Sequence, residues 1–276
     1  MNKTSVGYIL GFCVAICLVC AVVVSLSAVG LKDKQDENKR LDRQKKVLVV
    51  AGLLEEGAQA SPDEISSLFK KRIKAVMVDL KTGKVDEEAT KNVADYDQTK
   101  ASKDPALSTA VDKNLAGVPR VPKHAIVFLV SESDIDESGN VGNPAQYILP
   151  VEGKGLWSTL YGYISLGKDL NNINGLTFYQ HAETPGLGGE VDNPSWKAKW
   201  PGRKVYSADG KIAIKVKKGT AGSVADDPHQ VDGLSGATIT SNGVTYLLAF
   251  WLGENGFGPY IKNLKGAGTQ LGQVTQ

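Results

Sequence analysis

From Val6 to Leu31 the chain carries no charged residue, and that run constrains the fold more than any other feature. About 26 residues at about 1.5 Å of helical rise exceed a hydrocarbon core of about 30 Å, so one membrane-spanning helix is predicted over residues 6–31. A secretory signal is the competing reading, since Ser25, Ser27 and Ala28 loosely resemble a cleavage site. An h-region of about 7–15 residues is much shorter than this run, which favours the anchor. A short leader, residues 1–5 with Lys3, precedes the span, and a juxtamembrane stalk is expected over residues 32–60. Basic residues crowd the stalk (Lys32, Lys34, Lys39, Arg40, Arg43, Lys45, Lys46). Read naively, that places the following domain inside, but long domains can be translocated regardless of flanking charge, so charge alone leaves the side open.

Cys13, Cys17 and Cys20, the only cysteines, all lie inside the apolar run. The remaining chain therefore has none for a disulfide, a zinc site or an iron–sulfur cluster, and redox chemistry there must come from a bound cofactor. A net charge of +2 with 22% charged residues leaves no broad basic surface, which sets nucleic acid aside.

Past the anchor, Asp33 to about Leu54 reads as a continuing helix, and Ser61-Pro62-Asp63-Glu64 as a second helix start: a capping serine, proline at the first helical position, acids in the first turn. Strands are expected at 75–80, with a tight turn at Thr82-Gly83-Lys84, and at 125–130, 147–149, 160–166, 175–181 and 212–216. Asp95 to Val121 is polar and patternless, a loop or peripheral insertion near 81–121. Short helices fit 194–200 and 260–264. A longer one fits 239–252, where Val244, Leu247, Leu248 and Trp251 recur at helical spacing. The fold class is α+β: a transmembrane and stalk helix, then a mixed, mainly antiparallel sheet domain over 61–276. There is no strand–helix alternation, GxGxxG or Walker loop, so a Rossmann nucleotide site is unsupported.

Asp232-Gly233-Leu234-Ser235-Gly236-Ala237-Thr238 leads directly into the longer helix. Unpaired N–H groups and the helix dipole make that mouth a sound place for a phosphate. Thr238 has no adjacent His or Cys to act as a base, so it is an acceptor for another enzyme and not a catalytic nucleophile. The plain alternative is that Ser235 or Thr238 simply caps the helix.

The whole heptad matches the flavinylation motif D-x-x-S/T-G-A-T/S, and by it the chain resembles the NqrC family, the C subunits of sodium-translocating NADH:quinone reductases. At lower match it is similar to the G subunits of Rnf complexes. The resemblance spans essentially the full length, and Gly153-Lys154-Gly155-Leu156-Trp157-Ser158 and His181-Ala182-Glu183-Thr184-Pro185-Gly186-Leu187-Gly188 also look like family segments. It implies FMN held covalently through a phosphoester to Thr238. Asp232, Ser235, Gly236 and Ala237 would be read by a flavin transferase, and Gly155, Leu156, Trp157, Glu183, Thr184, Gly186 and Leu187 would lie around the flavin. Glu183 and Thr184 are the candidate hydrogen-bonding groups; core packing for Trp157, a strand-end role for His181 and an ordinary turn at Pro185-Gly186 are the plainer readings.

The resemblance also implies one station in an electron chain from NADH to ubiquinone, coupled to sodium export, with no complete active site and no metal site on this chain. The partners would be the other reductase subunits (A, B, D, E and F), and the place the bacterial inner membrane with the FMN domain on the periplasmic side. Rivals are the Rnf protein and a membrane-tethered extracytoplasmic module that holds an anion without redox chemistry.

Overall fold

The computed structural model describes residues 5–136, 139 and 141–271, with the side chains of 267–271 left aside. Apart from Ser5, the expected leader lies outside the described residues. Two compact units are found, Met1–Arg43 and Gln44–Gln276.

In the first unit the chain is helix α1 (Val6–Val50), whose residues in this unit are almost all exposed. It is long and apolar enough to cross a membrane, and its three cysteines are free and exposed.

The second unit takes in the last turns of α1. Its core is a six-stranded antiparallel sheet flanked on both faces. The elements run α2 (Pro62–Arg72), β1 (Ile73–Asp79), β2 (Lys84–Val85), α3 (Glu87–Thr90), α4 (Gln98–Lys103), β3 (Ser108–Ala110), β4 (Arg120–Pro122) and β5 (His124–Val130). Then come β6 (Gln146–Lys154), β7 (Thr159–Gly167), β8 (Ile173–Gln180), a 3-10 turn (Gly188–Asp192), α5 (Pro194–Lys197), β9 (Lys215–Val216), β10 (Gln230–Val231), α6 (Thr238–Trp251) and α7 (Gly258–Leu271). The sheet order is β2-β1-β5-β6-β7-β8.

Because side chains alternate along a strand, the sheet has two apolar faces. Tyr147, Leu149 and Val151 of β6 and Leu160, Ile164 and Leu166 of β7 join one cluster with Val244, Leu247, Leu248 and Trp251 of α6. Ile148, Tyr163 and Val130 point the other way, onto Val47, Leu48 and Val50 of α1 and Ile65 of α2. The mainly antiparallel α+β expectation holds. So does the second helix start, where Ser61 and Glu64 complete a capping box.

Two expectations need correction. The stretch 32–60 is not stalk throughout, because Val47, Leu48, Val50 and Ala51 are core residues of the domain. Nor is the insertion near 81–121 wholly peripheral. It forms β2, which joins the main sheet beside β1, together with α3, α4, β3 and most of β4, and Ala116, Val118 and Val121 enter the main core. The sequence concealed this because its few apolar side chains are spaced by turns and not by a helix or strand period.

Candidate functional site

The hydroxyl of Thr238 stands at the start of α6, and the turn before it decides how it is presented. The Ala237 N–H donates to the Leu234 carbonyl at 3.2 Å, closing Leu234-Ser235-Gly236-Ala237 as a β-turn. Gly236 sits at its third position with φ +69°, where a type II turn needs glycine. A Cβ there would also lie 2.9 Å from Leu187 Cδ2. Behind the turn, the Leu234 N–H donates to Ser241 Oγ at 3.0 Å. Ser235 and Thr238 are exposed as a result.

The residue flanking the helix is Ala237, which offers no side-chain cap, so neither Ser235 nor Thr238 is the N-cap of the plain alternative. Among the described residues, no bond within the chain engages the N–H groups of Thr238, Ile239 or Thr240. Three unpaired donors and the positive end of a 14-residue helix thus lie in the turn that begins with Thr238, an arrangement that suits a phosphate.

Asp232 is tied into the fold. One oxygen accepts from the Ala221 N–H at 2.8 Å and the other pairs with Lys199, while its carbonyl accepts from Trp196 Nε1 at 2.8 Å. Burial alone would raise its pKa, but the Lys199 ammonium and the Ala221 N–H overrule this and hold it low. Asp232 therefore anchors the loop that carries Thr238.

Gly155-Leu156-Trp157-Ser158 is the loop of the β6–β7 hairpin, closed by Gly155 N–H to the Ser158 carbonyl at 2.8 Å. Trp157 is 71% exposed, which excludes the core reading. Leu156, Leu187 and Ile239 are exposed too, large apolar side chains contributed by the hairpin loop, the turn after β8 and the first turn of α6. Glu183 is the opposite, 5% exposed. Its Oε1 accepts from the N–H groups of Trp157 (3.0 Å) and Ser158 (3.1 Å) and from Ser158 Oγ (3.2 Å). Its Oε2 accepts from Leu156 N–H (3.1 Å) and Thr240 Oγ1 (2.7 Å).

Thr184 is exposed, and its carbonyl accepts from Leu187 and Gly189. With Pro185 second and Gly186 third at φ +76°, 184–187 is also a type II arrangement. The His181 ring accepts the Glu183 N–H at Nδ1 (3.2 Å), which leaves the proton on Nε2, 2.8 Å from Asp192 Oδ2.

The structure thus brings Leu156, Trp157, Glu183, Leu187 and Thr238 to one corner and puts Asp232 at its base. Residues outside the sequence motifs, Thr240, Ser241, Gly243 and Lys199, complete it, together with Gly188 of the 181–188 segment. A Cβ at Gly243 would lie 2.4 Å from the Lys154 carbonyl, so α6 can approach the hairpin only with glycine there. Among the described residues no cluster could hold a metal ion.

Residues 155–253 match the FMN-binding domain family. The C subunit of the Na(+)-translocating NADH-quinone reductase of Pseudomonas aeruginosa is 46% identical over 267 residues, covering 96% of this chain and 98% of that protein. The chain belongs to the NqrC family. The corresponding protein of Yersinia pestis is 42% identical, covering 96% and 95%. A crystal structure of NqrC from Shewanella oneidensis superimposes with a TM-score of 0.72 at 36% identity, covering 83% of this chain and 99% of that one. The NqrC structure from Parabacteroides distasonis gives 0.60 at 29% identity, covering 85% and 96%. The FMN-binding match begins at the hairpin loop and ends just beyond α6, so it takes in the whole corner described above.

Proposed function

We propose that this chain is the FMN-carrying subunit of a sodium-translocating NADH:quinone reductase, with the flavin held by a phosphoester to Thr238. The observation that carries this reading is the acceptor's setting: an exposed hydroxyl at an uncapped helix N-terminus, in a D-x-x-S-G-A-T sequence within a matched FMN-binding region. In attachment, the Thr238 oxygen bonds to the FMN phosphorus of FAD, the pyrophosphate bond breaks, AMP leaves and the hydroxyl proton goes to solvent. No His or Cys adjoins Thr238 in the sequence to take that proton, so a separate flavin transferase performs the step.

The N–H groups of Thr238, Ile239 and Thr240 would hold the phosphate, and Leu156, Trp157, Leu187 and Ile239 offer the apolar surface a flavin ring needs. Bound there, FMN supplies one- and two-electron transfer; the chain's residues position it. NADH oxidation, quinone reduction and ion passage fall to the A, B, D, E and F subunits, since among the described residues one helix is long and apolar enough to span a membrane and the sequence has no cysteine outside it to hold an iron–sulfur cluster. That helix anchors it once in the bacterial inner membrane, and covalent attachment makes sense if the domain faces the periplasm, where a dissociable flavin would be lost. The NqrC relatives, matched over nearly their whole length, favour this reading over the Rnf protein.

Thr238→Val keeps the approximate size and removes the hydroxyl. Flavin fluorescence in a denaturing gel should vanish, and intact mass should fall to that of the polypeptide; a surviving flavin band would overturn the assignment.

A further inference from the structure

Leu156, Trp157 and Ser158 direct three consecutive backbone N–H groups at one point, 3.0–3.1 Å from the Glu183 carboxylate. Successive N–H groups of this kind form an anion-binding nest, and here the anion comes from the chain itself. Two hydroxyls complete the set, Ser158 Oγ from the hairpin and Thr240 Oγ1 from the first turn of α6. The surroundings fit the carboxylate closely. A Cβ on Gly155 would lie 2.6 Å from Glu183 Oε1, and one on Gly188 would lie 2.7 Å from Oε2 and 2.6 Å from Thr240 Oγ1.

Both oxygens are thus occupied by the chain's own donors, and the side chain is buried. We infer that Glu183 is a positioning residue: it fixes the Leu156–Trp157 edge to the first turn of α6, so that the apolar surface and the Thr238 acceptor keep one geometry. It acts on the flavin through these two elements without touching it. A Gln in its place keeps the shape but must turn an NH2 group toward at least one N–H donor, which the nest cannot accommodate.

The inference rests on the flavin being attached at Thr238, and the experiment separates the two. Full-length chain is co-produced with a flavin transferase and purified in detergent as wild type, Glu183→Gln, Thr240→Val and Thr240→Ser. In-gel flavin fluorescence measures attachment, near-ultraviolet circular dichroism the fold, and visible-region circular dichroism per attached flavin how firmly the ring is held. Wild type without an in-gel flavin band would sink the Thr238 reading before any variant is compared.

With the band present, Glu183→Gln should retain attachment and lose most of the visible dichroism. Thr240→Val should lose part of it, and Thr240→Ser, which keeps the hydroxyl, should restore it. If Glu183→Gln fails to fold, the Thr240 pair carries the same test. Variants that melt earlier but keep wild-type visible dichroism per flavin would show a merely structural glutamate and overturn the inference.

Discussion

Two shielded glutamates flank the β6–β7 hairpin and are treated in opposite ways. Glu183, beside the loop, receives three N–H groups and two hydroxyls. Burial alone would push its pKa up, yet these donors overrule it and hold it below the ordinary glutamate value. Glu152 lies in the stem, cross-strand from Tyr161, and its carboxylate accepts no hydrogen bond from the described residues. Burial, opposed only by the charge of Lys103, lifts its pKa to about 7. Burial is thus not what decides the charge of a carboxylate; the number of donors built around it is. The loop is held by a glutamate built to keep its negative charge, and the stem beside it carries one whose charge is merely tolerated.

The sharpest way to break this contrast is truncation. Glu183→Ala strips five donors of their acceptor in a buried corner and should destabilise the domain by about 3–5 kcal/mol, whereas Glu152→Ala leaves no donor orphaned and should cost far less. Thermal melts of the detergent-solubilised chain would show it; equal losses in Tm would mean that the nest contributes nothing beyond side-chain volume. Next in size is Gly155→Ala. Its new methyl would sit 2.6 Å from Oε1, forcing the carboxylate away at a cost of about 1–3 kcal/mol. Combined with Glu183→Ala, that cost should shrink, because the clash partner is gone. Strict additivity in the double variant would place the strain elsewhere.

These two glutamates also mark how far the sequence could be read. The helix after the heptad was legible because its apolar residues recur with a local period, and it appears as α6 at Thr238–Trp251. The long strands of the main sheet were legible by position, though β6 runs on to Lys154 beyond the expected 147–149 and β9 is only Lys215–Val216 within the expected 212–216, whereas the short β2, β3, β4 and β10 were not. Strand ends are set by partners, and Gly153 and Lys154 pair with Leu160 and Thr159.

Glu183 was singled out from the H-x-E-T-P-G-L-G segment as a group that would bond to the flavin. Its actual partners, Leu156 to Ser158 and Thr240, lie far away in sequence, and no local spacing announces such a convergence. Trp157 could be read as core or as ligand surface, because an aromatic residue following a glycine-rich G-x-G-L turn carries no sign of which side it faces. The core contribution of Ala116, Val118 and Val121 was invisible for the same reason, since tertiary contacts and not period bury them.

The smallest effect expected is also the one that tests the sign of the contrast. A group whose folded pKa is lowered, as in Glu183, adds stability above its unfolded pKa and loses it as pH falls through the folded value. Glu152, with its folded value raised to about 7, does the reverse: its contribution is complete below the unfolded carboxyl pKa of about 4.3 and disappears as pH rises toward 7. Lys103 and Tyr161 face it, and the tyrosine stays neutral across that window, since its own pKa is raised by burial and by the Glu152 charge. Glu152→Gln should therefore melt close to wild type at pH 4 and above it at pH 8, by on the order of 1 kcal/mol or roughly 2–4 °C. A gap that stays constant, or that narrows as pH rises, would show that the stem carboxylate is solvated after all, and that the two glutamates do not differ in the way their donors imply.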